Sequence, residues 1–579
     1  MREAGRLPVP VHEDNGRWGT VRAERTVLGV VHNITSATRL LDILSVFEGD
    51  QRVQVLFART GSSVLDEGTE EFLSSRGMLA IPWEEAMTLP FDLAISTNRG
   101  GDLHKIPFPL IGAPHGAGYN KKLSRKPEAG SRKPEAGSRK PEAFGLTDEW
   151  LMHDGRVIPS AIVLSHREQL GRLAQGCPEA LPVAHVAGDP CLDQLTAGKA
   201  FRETYRRALG LLPGQRLVVV SSTWGRDSVL GSPRTGTLRR ALAELPVEEF
   251  RVLAAIHPNA WYAHGAWQIR AWLAPLLDHG LILPSPESET WKSALCAADF
   301  LAGDSGSLSL YGVELGIPTV FGAFQDSVVA SDSPMRKLGD LLPRLDATRP
   351  LLDQLTRAAE TQRDDPRLAA LRGSVTSEPG RSAALLRRLL YSHLHLPEPP
   401  HPAATRAIPV PSIPAEDSRR LPHLPAMSVT AEVEAREATV FVRRYPGALQ
   451  GSRQAHLTGA HLAADPDDPD PRWPRSADVL VLPRERCPRS EAVKWSDFTG
   501  RYPACGLVAV EESDRGCTLL FPDDTRVRAR WIERPAWASF AIAASALHAW
   551  PEPVRERLRI EVRAGEDRAP ALLEVDPLP

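Results

Sequence analysis

The sequence predicts two successive doubly wound α/β units facing a cleft, followed by a further unit of α+β type. Three observations predict it. Short runs of Val, Ile, Leu and Ala recur, each ending in a polar or glycine-bearing loop followed by a helical period. These runs are continuous rather than alternating, as in parallel strands covered on both faces. The pattern restarts once, after a helical segment near 197–211, and a proline-thick stretch then separates it from another set of strand-like runs.

Taken in order, residues 1–25 read as a disordered leader. The first unit spans 26–195. Its segment VLGVVHNITSATRLLDILSVF (27–47) reads as strand, loop and helix. Further strands are VQVLFART (53–60), FDLAISTN (91–98), FPLIGAPHG (108–116), AIVLSH (161–166) and VAHVAGD (183–189). Within this unit a heptapeptide repeats over 124–144, as SRKPEAG, SRKPEAG and SRKPEAF. Each copy carries a helix-breaking proline and nothing that builds a core, so an inert disordered surface loop is expected.

The second unit spans 196–392 and contains five predicted strands: RLVVVSSTW (216–224), FRVLAAIHPN (250–259), LILPSP (281–286), ADFLAGDSG (298–306) and PTVFGAF (318–324). Residues 393–430 are rich in proline and read as an extended linker. Over 431–579 the strand-like runs are ATVFVRRY (438–445), ADVLVLPR (477–484), GLVAVEES (506–513) and CTLLFPD (517–523), with a helix near 535–549. The acidic, proline-alternating stretch Asp465–Asp470 reads as a solvated loop.

Bulk properties exclude several functions. The chain has 579 residues, a hydrophobic fraction of 42% and a formal net charge of −3. That describes a multi-domain globular protein without the positive field expected of a nucleic-acid binder. Six scattered cysteines with no CxxC spacing suit reduced thiols better than a disulfide framework or a zinc site. The opening MREAGRLPVPVHEDNGRWG lacks the apolar core of a signal peptide, and the longest apolar window, Ala536–Trp550, is too short to span a bilayer. A cytoplasmic protein is expected, with peripheral attachment to the inner face of the plasma membrane left open.

The polar motifs all fall just after predicted strands, where doubly wound sheets place their ligand cleft. Asp304-Ser305-Gly306-Ser307 would set amides and hydroxyls at a helix N-terminus, suited to a diphosphate. Glu314, about three turns further along that helix, is the expected partner of a ribose diol. His257, before Pro258-Asn259, can donate to a phosphate oxygen, and Ser222, Thr223 and Arg226 offer hydroxyls and a guanidinium to phosphate. In the first unit, His115 of Pro114-His115-Gly116 is placed to act as general base, with Lys121 and Lys122 near an anionic acceptor. No GxGxxG, Walker loop, HExxH or Cys/His metal spacing is present, so neither a metal nor a bound cofactor is expected.

In order, these motifs resemble those of the CDP-glycerol glycerophosphotransferase family, the teichoic-acid polymerases and primases, over roughly residues 26–390. The family's His-Gly-Thr-Pro-Leu-Lys element is similar to His115-Gly116 with Lys121 or Lys122, and its Gly-x-Pro-x-x-Asp-x-Leu junction to Gly188–Leu195. Its Pro-Thr-Trp-Arg loop resembles Ser222–Arg226, its Leu-His-Pro resembles Ile256-His257-Pro258, and its Thr-Asp-Tyr-Ser-Ser resembles Gly303–Ser307. This chain departs at Ala117-Gly118, which replace Thr-Pro, and at Ser305-Gly306, where the Asp-Ser-Gly form is closer to UDP-N-acetylglucosamine 2-epimerases and general glycosyltransferases.

The resemblance implies a GT-B fold and a transferase using a CDP- or UDP-linked donor as substrate. His115 would deprotonate an acceptor hydroxyl, while His257, Ser222, Thr223, Ser305 and Ser307 hold the leaving phosphate. The acceptor would be a cell-envelope molecule. Alternatives are a GT-B glycosyltransferase acting on a soluble small molecule, and a catalytically inactive scaffold that binds a nucleotide or a protein partner.

Overall fold

The structure, a computed structural model, describes residues 20–61, 68–122, 144–232, 236–414, 418, 421–451, 457–486, 493–565 and 568–578. Nearly all of the leader and of the heptapeptide repeats lies outside the described residues.

The first unit is built on a seven-stranded parallel sheet. Its strands are β1 (Arg25–Val31), β2 (Val53–Arg59), β3 (Ala80–Ile81), β4 (Leu93–Ser96), β5 (Leu110–Gly112), β6 (Ala161–Leu164) and β7 (Ala184–Val186). They lie in the order β3-β2-β1-β4-β5-β6-β7. Continuous apolar runs are needed because both faces are covered. Val27 and Val31 of β1 pack with Leu40 of helix α1 (Ile34–Leu44), whereas Leu28 and Val30 pack with Phe91 and Leu103 on the other face. Gly29 lies under that helix, where a Cβ would stand 2.7 Å from the Phe57 ring. The short β3 was not expected from the sequence.

The second unit has a four-stranded parallel sheet of β8 (Arg216–Ser222), β9 (Phe250–Ile256), β10 (Phe300–Gly303) and β11 (Thr319–Phe321), in the order β9-β8-β10-β11. The fifth expected strand, LILPSP, does not form. Ile282 makes a single parallel bridge to Leu253, and Pro284 and Pro286 then lack the N–H that would extend it. Each sheet reverses its strand order once, between β1 and β4 and between β8 and β10. The loops after those strands open onto one cleft between the units, the GT-B arrangement.

Two features tie the units together. Helix α6 (Ser382–His393) belongs by sequence to the second unit, yet its Leu386, Leu389 and Leu390 join the core of the first sheet. Across the cleft, Lys292 of helix α4 (Thr290–Ala297) pairs with Asp42 of α1 at 2.8 Å, both side chains being almost wholly buried. The helices α2 (Pro258–His264), α3 (Ala266–Leu277) and α5 (Ser307–Leu315) complete the second unit around the cleft.

The C-terminal unit resolves the α+β expectation into a closed barrel. Its strands are β12 (Met427–Glu434), β13 (Thr439–Pro446), β14 (His461–Ala464), β15 (Val479–Leu482), β16 (Leu507–Glu511), β17 (Gly516–Leu520), β18 (Arg526–Glu533), β19 (Leu558–Arg563) and β20 (Ala571–Leu578). The first of these begins inside the stretch read as linker. Helix α7 (Phe540–His548) is buried from Phe540 to Leu547 and clusters with residues from all the strands. A helix apolar all round has no other stable place. Arg444 of β13 donates to Glu248 at 2.8 Å, joining barrel to second unit. Asp465 is fully buried and paired with Arg486, so the acidic loop is not simply solvated. Among the described residues no helix is long and apolar enough to cross a membrane.

Candidate active site

Between the two units lies a cavity of about 180 Å³, lined from both sides. The first unit contributes Thr35, Thr38 and Arg39 after β1, Asn98 and Arg99 after β4, and His115 and Lys121 after β5. The second contributes Ser222 and Thr223 after β8, His257 after β9, and Ser305, Gly306 and Ser307 after β10. Both topological switch points therefore meet at one place, where ligands bind in open α/β sheets.

Three of the helices that begin here directly follow a strand of the two sheets, and they differ in how their first turn is satisfied. The side chain of Asn33 caps α1, accepting from Ser36 N at 3.0 Å. His257 caps α2, its Nδ1 accepting from Asn259 N at 3.1 Å. The third, α5, starts at Gly306 and has no side-chain cap. An uncapped N-terminus facing a cavity presents backbone N–H groups and the positive end of a dipole to whatever binds there.

The histidines are neutral. Because Nδ1 of His257 accepts an amide proton, its own proton resides on Nε2, which points toward Thr35 Oγ1 at 3.5 Å across the cleft. Burial, helped by Lys121 and His115, holds its pKa well below the ordinary histidine range. His115 is pushed down to about 4 by burial and by the positive charges of Lys121 and Arg39. Deeper in the first unit, His32 is likewise held at about 4, chiefly by burial, with Nε2 donating to Gly100 O at 2.7 Å. One cavity thus holds a neutral ring able to accept a proton, His115, and a neutral ring fixed as a donor, His257.

The walls touch as well as face each other. Ala117 N donates to Ser307 Oγ at 3.2 Å, leaving that hydroxyl its own proton to donate. A Cβ on Gly116 would stand 2.5 Å from the same oxygen, so any side chain there would have to displace the Ser307 hydroxyl. Lys121 Nζ sits 3.9 Å from the centre of the Trp224 ring, and Trp224 in turn packs on His257 at 4.5 Å. Burial lowers the Lys121 pKa, and Asp304 partly offsets this.

Of the residues singled out from sequence, His115, Lys121, Ser222, Thr223, His257, Ser305, Gly306 and Ser307 line this cavity. Four others do not. Asp304 is 1% exposed; its carboxylate accepts from Thr223 N at 2.7 Å, Thr223 Oγ1 at 2.8 Å, Val229 N at 3.3 Å and Gly306 N at 3.2 Å. It holds the turn together from inside the protein. Arg226 is exposed on the loop beyond Trp224, and Lys122 is not among the lining residues, its backbone N–H being bonded to Val328 O at 3.0 Å. Glu314 sits at the far end of α5, accepting from Gly373 N at 2.7 Å and Val375 N at 3.0 Å. The helical period carries it away from the cavity.

Sequence inspection missed Arg39, Arg99 and Trp291, all of which line the cavity. Arg39 is sandwiched near Trp291 and Tyr311, 5.3 and 5.7 Å from their rings, and pairs with Asp42 at 2.8 Å. Its one legible signal is position, a turn and a half into the helix that follows the central strand.

No protein-family model matches the chain, and no curated protein matches it. Solved structures do. The wall teichoic acid polymerase TagF aligns at 13% identity and a TM-score of 0.41, covering 66% of this chain and 90% of that one. The S. aureus MnaA–UDP co-structure gives 11%, 0.40, 66% and 99%. The UDP-GlcNAc 2-epimerase from Methanocaldococcus jannaschii gives 10%, 0.39, 63% and 99%.

Proposed function

We propose that this protein is a transferase that moves an alcohol phosphate or a sugar from a CDP- or UDP-linked donor to a hydroxyl on a cell-envelope acceptor. The observation that carries it is the meeting of an uncapped helix N-terminus, a donor histidine and an acceptor histidine in one buried cavity.

In this reading the donor's diphosphate lies against the first turn of α5. The amides there, the hydroxyls of Ser305 and Ser307 and the Nε2–H of His257 donate to its oxygens. His115 takes the proton of the acceptor hydroxyl. For an alcohol-phosphate donor, the acceptor oxygen then bonds to the β-phosphorus as the bridging oxygen leaves with the nucleoside monophosphate. The charge that develops on that leaving phosphate is met by groups already fixed in place. An anionic donor also offsets Lys121 and Arg39, two of the causes that hold His115 down, and so raises its basicity when the substrate is bound. At about 180 Å³ the cavity is smaller than the about 300–1,000 Å³ of ordinary ligand pockets. A nucleotide donor therefore needs more room than this arrangement of the two units leaves.

The test is a calorimetric and thermal-shift panel of CDP, CMP, UDP, GDP and ADP on the full chain. Selective binding of one pyrimidine diphosphate, lost in Ser305→Ala and His257→Ala, is expected. Absence of binding by the folded wild type overturns the transferase reading.

A further inference from the structure

The lining of the candidate active site holds three cations and, among the described residues, no aspartate or glutamate. All three, Arg39, Arg99 and Lys121, stand on the first wall, whereas the second wall offers hydroxyls, amides and the neutral His257. Arg39 already has a carboxylate, Asp42, at 2.8 Å. Lys121 rests on the Trp224 ring and feels the Asp304 charge. Arg99 has no acidic partner among the described residues.

Arg99 is 5% exposed, and the one bond its guanidinium makes among the described residues is to a neutral group. Nη2 donates to Tyr119 Oη at 3.1 Å, while that hydroxyl gives its own proton to Val163 O. Nε is buried without a partner, and Nη1 lies over Gly112, where a Cβ would overlap it. A guanidinium taken out of water with no opposite charge beside it is costly. Elsewhere the fold avoids that cost. Buried Arg172 pairs with Asp332 at 3.0 Å, buried Arg387 pairs with Glu398 at 3.1 Å, and buried Arg568 faces Glu248 and Glu249. Of the buried arginines described, the exception is the one that lines the cavity. Its loop also holds the candidate base. The ring of His115 bonds to Thr97 O, two residues before Arg99. Asn98 Oδ1 fixes this turn, accepting from the N–H groups of Arg99 and Gly100 at 2.7 and 3.0 Å. A planar fork on the loop that orients the base suits an oxyanion on the molecule whose hydroxyl loses its proton.

We propose that Arg99 is the seat of a second anion, the phosphate or carboxylate of the acceptor, separate from the donor diphosphate on α5. Arg99 belongs to none of the motifs that carry the resemblance. The bound oxyanion accepts from Nε and Nη1 and supplies the missing counter-charge. The anion site stands by itself, whereas its assignment to the acceptor rests on the transferase reading.

The experiment is a calorimetric titration of the full chain with inorganic phosphate and with acetate. It is repeated with the nucleoside diphosphate that binds the wild type held at saturation. Phosphate stands for a phosphoryl group and acetate for a carboxyl group, and at least one is expected to bind with nucleotide present. Arg99→Met should weaken that anion at least about tenfold. Arg99→Lys, which keeps the charge without the fork, should fall between. Melting curves check that both variants fold. Where Arg99→Met does not, Arg99→Lys and the competition between anion and nucleotide in the wild type decide. The proposal is overturned if neither anion binds, or if Arg99→Met binds it as tightly as wild type. Displacement of the anion by nucleotide equally overturns it, because the cations of the first wall then serve the donor. An Arg99-dependent anion on a folded protein that binds no nucleotide removes the transferase reading and keeps the site. Nucleotide binding without an Arg99-dependent anion does the reverse.

Discussion

The two walls of the cavity use the same local device to opposite ends. In each unit a central parallel strand stops at a switch point and a helix starts. On the first wall, Asn33 closes α1 with a reciprocal cap: its side chain accepts from Ser36 N, and Ser36 Oγ accepts from Asn33 N at 3.0 Å. On the second wall α5 is left open, although a carboxylate stands beside it. Asp304 is turned away to hold Thr223, Val229 and Gly306. A protein that needed only a stable helix would use that carboxylate as the cap. Diverting it leaves the N-terminus without a side-chain cap and fixes the loop opposite it, as the proposed anion site requires.

The comparison breaks most severely at Asp304. Asp304→Ala leaves the amides of Thr223, Val229 and Gly306 without their acceptor inside the protein. A loss of about 3–5 kcal/mol in unfolding free energy is expected from denaturant titration, together with loss of nucleotide binding. Asp304→Asn, which keeps one acceptor oxygen, should lose less. If the alanine variant is as stable as wild type, the carboxylate does not organise the second wall.

The first wall is sharpened by pH. His32 and His115 are both held at about 4, far below the 6.5 of a free ring. A depressed histidine pKa means the unfolded chain binds more protons between those limits, so stability falls as pH drops from about 6.5 toward 4. His32 is 2% exposed and should account for about 3 kcal/mol of that fall. Denaturant midpoints taken across this range, in wild type and in His115→Gln, check both rings. The variant should show a shallower slope, and a bound diphosphate should shift the His115 portion to higher pH. An unchanged slope in the variant would place His115 in a solvated environment.

Most of the two parallel sheets was legible because burial on both faces forces continuous apolar runs, as in Val218–Val220 and Val27–Val31. The site loops were legible because they follow such runs. The barrel was not. In β18 the buried Val527, Ala529 and Trp531 alternate with the outward Arg528 and Arg530, and a strand with so many charges gives no run to read. Its closure also depends on pairings such as β13 with β19, between segments far apart in sequence. Arg39, Arg99 and Trp291 were missed for the same reason. They come from a helix interior, a loop and the far unit, and only packing brings them to the cavity.

The smallest effect is expected at Glu314, where sequence and structure disagree most about a single side chain. Read on spacing alone, it was the partner of a ribose. In the fold it lies about 10 Å along the axis from the start of α5, at the helix end where a negative charge is least favourable. Two amides, from Gly373 and Val375, compensate it. Glu314→Gln keeps one acceptor for those amides and removes the charge that opposes the dipole, so the cost in stability should stay near about 1 kcal/mol. Nucleotide affinity, measured by calorimetry, should stay within about twofold. A loss of affinity of tenfold or more would bring this carboxylate into contact with the ligand. The anion site would then extend along the helix, and its definition by the open N-terminus alone would fail.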